Sequence, residues 1–189
     1  FNRLFSSLVF VAFLWNPAFA QSSKKALKYM VATANPVASQ VGYDILSRGG
    51  NAIDAMVGVQ LMLNLVEPQS SGIGGGAFLL FYDAKRKEVT SFDGRETAPL
   101  KAKGDLFLKE DGSPLKFFEG VVGGRSVGTP GTLKLLEVTH KNFGSLPWRE
   151  LMQPTIKLAE EGFRVSKRLA ASVERDAKRL KTFPATKSY

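Results

Sequence analysis

Arg95 closes the run Asp93-Gly94-Arg95-Glu96, and upstream of it Ser70-Ser71-Gly72-Ile73-Gly74-Gly75-Gly76 makes a turn with few side chains. A guanidinium presents a planar fork of donors that fits a carboxylate with two parallel bonds. Beside a loop too small to fill its own space, Arg95 is placed to clamp a carboxylate that arrives from outside. Asp93 and Glu96 flank it and are expected to orient it rather than to form a carboxylate pair with each other or with Asp83. No nucleophile, base or metal cluster accompanies the arginine. His140, the single histidine, stands beside Lys141 near the end of an expected helix, where it reads as a partner of the helix dipole and not as a base. The sequence has no cysteine, which removes thiol catalysis, thiolate metal sites and disulfides together. Neither a metal nor an organic cofactor is indicated.

Two phosphate-binding patterns are approached and fail. Gly72, Gly74 and Ala77 have the spacing of a dinucleotide fingerprint, but that motif needs a strand before it and a helix after it, and the order expected here is helix, turn, strand. Gly124-Arg125-Ser126 lacks the lysine of a P-loop. The glycines of 72–76 serve instead either to let backbone pass close to a ligand or to meet a purely structural demand.

The elements that must hold Arg95 follow from the pattern of apolar residues. Lys28 to Ala34 alternates weakly and reads as a first strand. Pro36 opens a helix with Val37, Val41 and Ile45 at helical spacing, and Arg48-Gly49-Gly50 stops it. Asn51 caps a second helix, with Asp54 in its first turn. From Ala52 to Val66 this helix is apolar on almost every face and must lie buried between other elements. Pro68 ends it. Ala77 to Asp83 is then a strand apolar on both faces, Lys85-Arg86-Lys87 a solvent turn and Glu88 to Asp93 the return strand of a buried hairpin. Residues 101–128 read as loop, Thr129-Pro130 as the start of a helix to about Phe143, and Pro147-Trp148 as the start of another ending near Gly162. Ser166 caps a last helix striped by Leu169, Val173, Ala177 and Leu180. Helix pair, strand pair, helix group is the order of a layered α+β or αββα protein, without repeats or low-complexity segments.

A hydrophobic fraction of 44% and a charged fraction of 23% fit one globular core. Both ends read as cut. Arg3, the apolar run from Leu8 to Trp15 and Ala18-Phe19-Ala20 before Gln21 make residues 1–20 a truncated secretory signal, so export to a periplasm or the outside is expected. The apolar run is far short of the roughly 20 residues that span a bilayer, and position 21 is not the cysteine of a lipid anchor. The formal net charge is +9, concentrated in 164–189, where residues such as Arg168, Arg175, Lys178 and Arg179 outweigh Glu174 and Asp176. In an exported chain this reads as a solvated helix face, or one that meets acidic residues elsewhere, and not as a nucleic-acid site.

The segments Ala32–Ala55, Pro68–Gly76, Asp93–Pro99, Gly128–Gly131 and Leu151–Phe163, in that order, resemble the γ-glutamyltransferase family and cover nearly all of the chain after residue 20. The resemblance implies an N-terminal-nucleophile hydrolase with an αββα sandwich, incomplete in this chain, residues 21–189 being the N-terminal portion of a large subunit. The family's precursor cuts itself into a large and a small subunit and acts on glutathione and other γ-glutamyl compounds, passing the γ-glutamyl group to water or to an acceptor amino acid or peptide. Arg95 matches the arginine that holds the α-carboxylate of that group. The nucleophilic threonine is expected downstream of Tyr189, because the α-amino group that serves as its base exists only after cleavage. No catalytic residue is therefore expected within 1–189, and alone the chain is expected to be inactive and poorly stable. Gly94 departs from the pattern, since many bacterial members carry a larger residue there, so backbone freedom beside Arg95 is expected to differ. Two other readings compete. One is a related acylase, such as a cephalosporin acylase or a capsule-anchoring transpeptidase. The other is a non-catalytic exported protein that captures amino acids through Arg95.

Overall fold

The computed structural model describes residues 25–26 and 28–188, and the expected secretory signal at 1–20 lies outside them. Two asparagines set the first two helices. Asn35 accepts a bond from the Val37 N–H at 3.0 Å and opens α1, Pro36–Ser47. Asn51 accepts from Ile53 and Asp54 at 2.9 and 3.1 Å, while the Asp54 carboxylate accepts from the Asn51 N–H at 2.9 Å. This reciprocal box fixes the start of α2, Ala52–Val66. The glycine-rich turn leads into β1, Ala77–Asp83, which pairs antiparallel with β2, Glu88–Gly94, in the register Ala77 opposite Gly94 to Asp83 opposite Glu88. A short helix α3, Phe117–Val121, and a 3₁₀ turn, Gly124–Ser126, interrupt the long connection. Then come α4, Thr132–Phe143, α5, Trp148–Glu161, α6, Lys167–Leu180, and a terminal turn of helix α7, Pro184–Lys187.

The core is α2 wrapped by α1, α4 and α5, as its apolar circumference requires. Ala38, Ile45, Val57, Met62, Leu136 and Leu151 are sealed in one cluster. The inner face of the hairpin joins it through Ala77, Leu79 and Phe92, and Phe143 of α4 stacks against Phe81 and Phe92 with centroids 5.0 and 6.1 Å apart.

Four sequence expectations need correction. Residues 28–34 form no strand, because no neighbouring strand among the described residues pairs with them; Thr33 instead donates to the Asn35 carbonyl at 2.6 Å and turns the chain into α1. The hairpin is not buried on both sides. Phe78, Leu80, Tyr82 and Val89, which alternate with the core residues, face outward and are 59–75% exposed. Residues 101–128 are not all loop, since α3 forms there. The helix expected from Thr129 begins three residues later, because Thr129 is drawn into a bridge with Thr97.

Buried polar side chains tie the helices together. Asp54, with no exposed surface, also accepts the N–H groups of Ser145 at 3.0 Å and Leu146 at 3.3 Å, which fixes the connection between α4 and α5. His140 supports the same corner. Its Nε2 lies 2.8 Å from the Leu146 carbonyl, and since a carbonyl only accepts, that nitrogen carries the proton. The histidine lies in the last turn of α4, where the sequence placed it, and it anchors the following loop as well. Glu67, at the end of α2, is equally buried. The amide of Asn35 donates to it at 2.9 Å and is the main reason its carboxyl is held below the usual carboxylate range, with lesser help from Gln69, Arg168 and Ser166 and against its own desolvation.

Replacing Asp54 with alanine orphans three backbone donors and is expected to lower stability by about 2 to 4 kcal/mol, read as a fall in the urea midpoint; Asp54→Asn, which keeps acceptor capacity, loses less. The sign for Glu67 follows from its depressed folded pKa. Its contribution is complete above the unfolded carboxylate value of ~4.3 and is lost as pH falls below that toward the folded value. Thermal midpoints taken from pH 7 down to pH 3 are expected to drop less steeply in Glu67→Gln than in the parent.

Candidate functional site

Arg95 follows directly on β2 and stands at one side of an open cleft of about 370 Å³, lined by Gln60, Ser70, Ser71, Gly75, Gly76 and Glu96 among others. The cleft is therefore built from the last turns of α2, the glycine-rich turn and the end of the hairpin, three segments separated in sequence.

Each wall is pinned by backbone. At the root of the turn, the Glu67 carbonyl accepts from the N–H groups of Ser70 and Ser71, both at 3.0 Å. In its middle, the Ser71 hydroxyl donates to Asn64 at 2.7 Å and receives Gln60 at 2.7 Å. At its end, the Gly75 carbonyl accepts from Gly131 at 3.0 Å and Thr132 at 3.1 Å, so the first turn of α4 hangs on the turn. Beyond Arg95, Thr97 and Thr129 exchange backbone bonds, of which Thr129 to Thr97 at 2.8 Å is the shorter. Arg95 thus lies between two fixed points.

The flanking acids divide their work. Asp93 accepts the backbone N–H of Arg95 at 2.9 Å and shapes the chain there, without reaching the guanidinium. Glu96 lies 3.2 Å from Arg95 Nη2 through its Oε2. That approach is misaligned for a hydrogen bond, and Glu96 Oε2 is shut off from solvent with no donor among the described residues. The guanidinium carbon also sits 5.9 Å from the Phe78 ring centroid. Its side chain remains 56% exposed, open to an incoming group. Asp83 belongs to none of this. It sits at the far end of the hairpin, where it accepts the Lys85 N–H at 2.9 Å.

The glycines separate into two kinds. Gly72 and Gly74 have open space where a side chain would stand. Gly76 is a close approach, since a Cβ there would lie 2.6 Å from Glu96 Oε2 and 2.8 Å from the Arg95 Cα. Gly94 is also a matter of space, and not of the backbone freedom expected from the sequence. It has no positive φ, and an added Cβ would meet Leu135 Cβ at 2.7 Å. The order helix, turn, strand holds, which leaves the 72–77 spacing without the helix a dinucleotide site needs. Arg125 is likewise committed, donating to the Leu106 carbonyl at 2.7 Å.

Sequence reasoning missed Gln60, Asn64 and Ser71 as parts of the wall. Part of the signal was available, because Gln60 and Asn64 are polar residues four apart on a helix that is apolar beyond its capping first turn.

Comparison with known proteins converges on this architecture. Residues 38–189 match the family model for Gamma-glutamyltranspeptidase. The chain is 50% identical over 144 residues to a glutathione hydrolase proenzyme of Bacillus subtilis (strain 168), an alignment that covers 76% of this chain and 24% of that protein. The structure of Helicobacter pylori γ-glutamyltranspeptidase superposes with a TM-score of 0.83 at 34% identity, covering 88% of this chain and 47% of that one. A cephalosporin acylase from Bacillus halodurans superposes with 0.66 at 27% identity, covering 86% and 32%. The fold is the α+β arrangement of an N-terminal-nucleophile hydrolase, present here in part. Within that class the chain belongs to the γ-glutamyltranspeptidase family. It spans about a quarter of the length of the curated relatives it matches.

Gly76→Ala drives a methyl into the Arg95 backbone, which cannot swing aside as a side-chain tip can. It is expected to destabilise the protein by about 1 to 3 kcal/mol, measured by urea unfolding, and Gly72→Ala to change the midpoint little.

Proposed function

We propose that these residues are the N-terminal portion of the large subunit of an exported γ-glutamyltransferase, a glutathione hydrolase, with Arg95 as the clamp for the α-carboxylate of the γ-glutamyl group. The observation that carries this is the cleft itself: a half-exposed guanidinium, fixed on both sides by backbone bonds, facing a space walled by small residues. Glutathione presents at its γ-glutamyl end a carboxylate and an ammonium on one carbon. Arg95 answers the first. Glu96, whose Oε2 is shut off from solvent 3.2 Å from Arg95 Nη2, steers the guanidinium and does not itself meet the ligand. Asp93 acts on the backbone conformation beside them.

The bond-breaking group is a threonine from a small subunit released from the same precursor. Its hydroxyl attacks the γ-glutamyl carbonyl, its own α-amino group takes the proton and passes it to the nitrogen that departs as the amine, leaving a γ-glutamyl ester on the threonine; water or an acceptor amino acid or peptide then displaces that ester and returns the hydroxyl its proton. The outward apolar face of the hairpin, with Phe78, Leu80, Tyr82 and Val89, suits the second sheet of the sandwich, which burial would stabilise. The higher identity and closer superposition with γ-glutamyltranspeptidase than with the cephalosporin acylase favour this reading over a related acylase. Among the described residues no helix is long and apolar enough to cross a membrane. Release into a periplasm or the medium accords with the leader read at 1–20.

A hydrogen bond to a charged group in a closed site contributes about 1.5 to 3 kcal/mol, against 0 to 1 for an exposed pair. Arg95→Ala in the complete precursor is therefore expected to reduce kcat/KM for glutathione by about tenfold or more while self-cleavage into two subunits, seen on a denaturing gel, proceeds as in the parent. Turnover at low glutathione that matches the parent would show that the carboxylate is held elsewhere.

A further inference from the structure

The cleft wall is tied to α6 through a buried carboxylate that no step of the reaction uses. Glu67 is 2% exposed and gathers groups from three other segments. Asn35 at the start of α1 donates to its Oε1 at 2.9 Å, and Gln69 of the turn and Arg168 of α6 donate to its Oε2, the latter at 3.1 Å. The other arm of Arg168 donates to the hydroxyl of Ser70, a cleft-lining residue, at 3.0 Å. The Glu67 carbonyl meanwhile holds the N–H groups of Ser70 and Ser71. One residue therefore fixes the entry of the turn by its backbone and receives, by its side chain, the arginine that grips the same turn from outside. Arg168 stands apart from the solvated charges around it, and its neighbour Arg179 is also engaged, paired with Asp176 and stacked 4.2 Å over the Phe118 ring.

We infer that Glu67 and Arg168 are positioning residues for the substrate cleft: through Ser70 they set the 68–76 turn at the distance from Arg95 that the γ-glutamyl group requires. This rests on the reading of the cleft given above. A buried carboxylate with its partners in place is rigid, whereas one deprived of its arginine relaxes toward water and takes the turn with it. A shift of about 1 Å in a wall that orients substrate is enough to weaken binding severalfold.

The test uses the full-length precursor and three variants, Arg168→Ala, Arg168→Lys and Glu67→Gln. The Arg168 side chain is 58% exposed, so its truncation leaves the core packed. Two quantities are read: amide hydrogen exchange across 68–76, and steady-state kinetics with glutathione. Arg168→Ala is expected to speed exchange in that segment and to raise KM about fivefold or more with kcat within about twofold. Arg168→Lys, which keeps the charge but not the fork, should recover part of both. Glu67→Gln, which keeps an acceptor for Asn35, should move KM in the same direction. Exchange at 68–76 unchanged by Arg168→Ala overturns the inference, and so does faster exchange with an unaltered KM. If the parent itself turns over no glutathione, the functional reading fails by that result alone. The exchange then decides whether the latch exists, unchanged rates overturning it and faster rates upholding it.

Discussion

The carbonyl of Gly75 receives the N–H groups of both Gly131 and Thr132, and through that pair of hydrogen bonds the glycine-rich turn and the first turn of α4 become one piece of backbone. Everything around Arg95 leans on it. The turn must come close enough to deliver the carbonyl, which is why Gly76 passes over Glu96 with no room for a Cβ. β2 must end where α4 begins, which is why Gly94 lies against Leu135. Once these approaches are made, Arg95 has a fixed Cα, and the freedom left to it is that of its side chain. A binding group built this way is pre-organised, and little ordering remains to oppose its ligand.

The same logic explains what could be read from the residues alone. Helix ends were legible wherever a side chain creates them: Asn51 and Ser166 cap, Pro36 opens, Gly49 and Gly162 stop, and the observed bounds of α1, α2, α5 and α6 follow. The hairpin was legible because its two apolar runs and its charged turn are local, while which of its faces is covered was not. What escaped depends on pairing at a distance. Residues 28–34 have strand-like composition, but composition supplies no partner. The late start of α4 is dictated by Thr97 and Gly75, neither of which lies near it in sequence. Arg95 could be singled out because its chemistry is unusual for its setting, whereas Glu67 looked like any acid before a proline until α6 folded back on it.

Charge, too, has to be read in three dimensions. The basic stretch from Arg164 onward read as a solvated helix face, or one that meets acidic residues elsewhere. Two of its arginines are instead structural, one against a buried carboxylate and one over an aromatic ring. What matters structurally in such a helix is the geometry of particular forks, while the remaining lysines keep the surface hydrated.

Asp54 binds Ser145, 91 positions further along the chain. At synthesis rates of roughly 5 to 20 residues per second, that is an interval of about 5 to 18 s in which α2 has emerged and the loop that closes over it has not. During this interval the most apolar helix of the protein packs against α1 and the inner face of the hairpin while α5 has yet to arrive, and closing so long a loop carries an entropic barrier of its own. For the exported protein proposed above, the delay would be useful. A chain whose core cannot lock until its distant half arrives is a chain that can still be threaded.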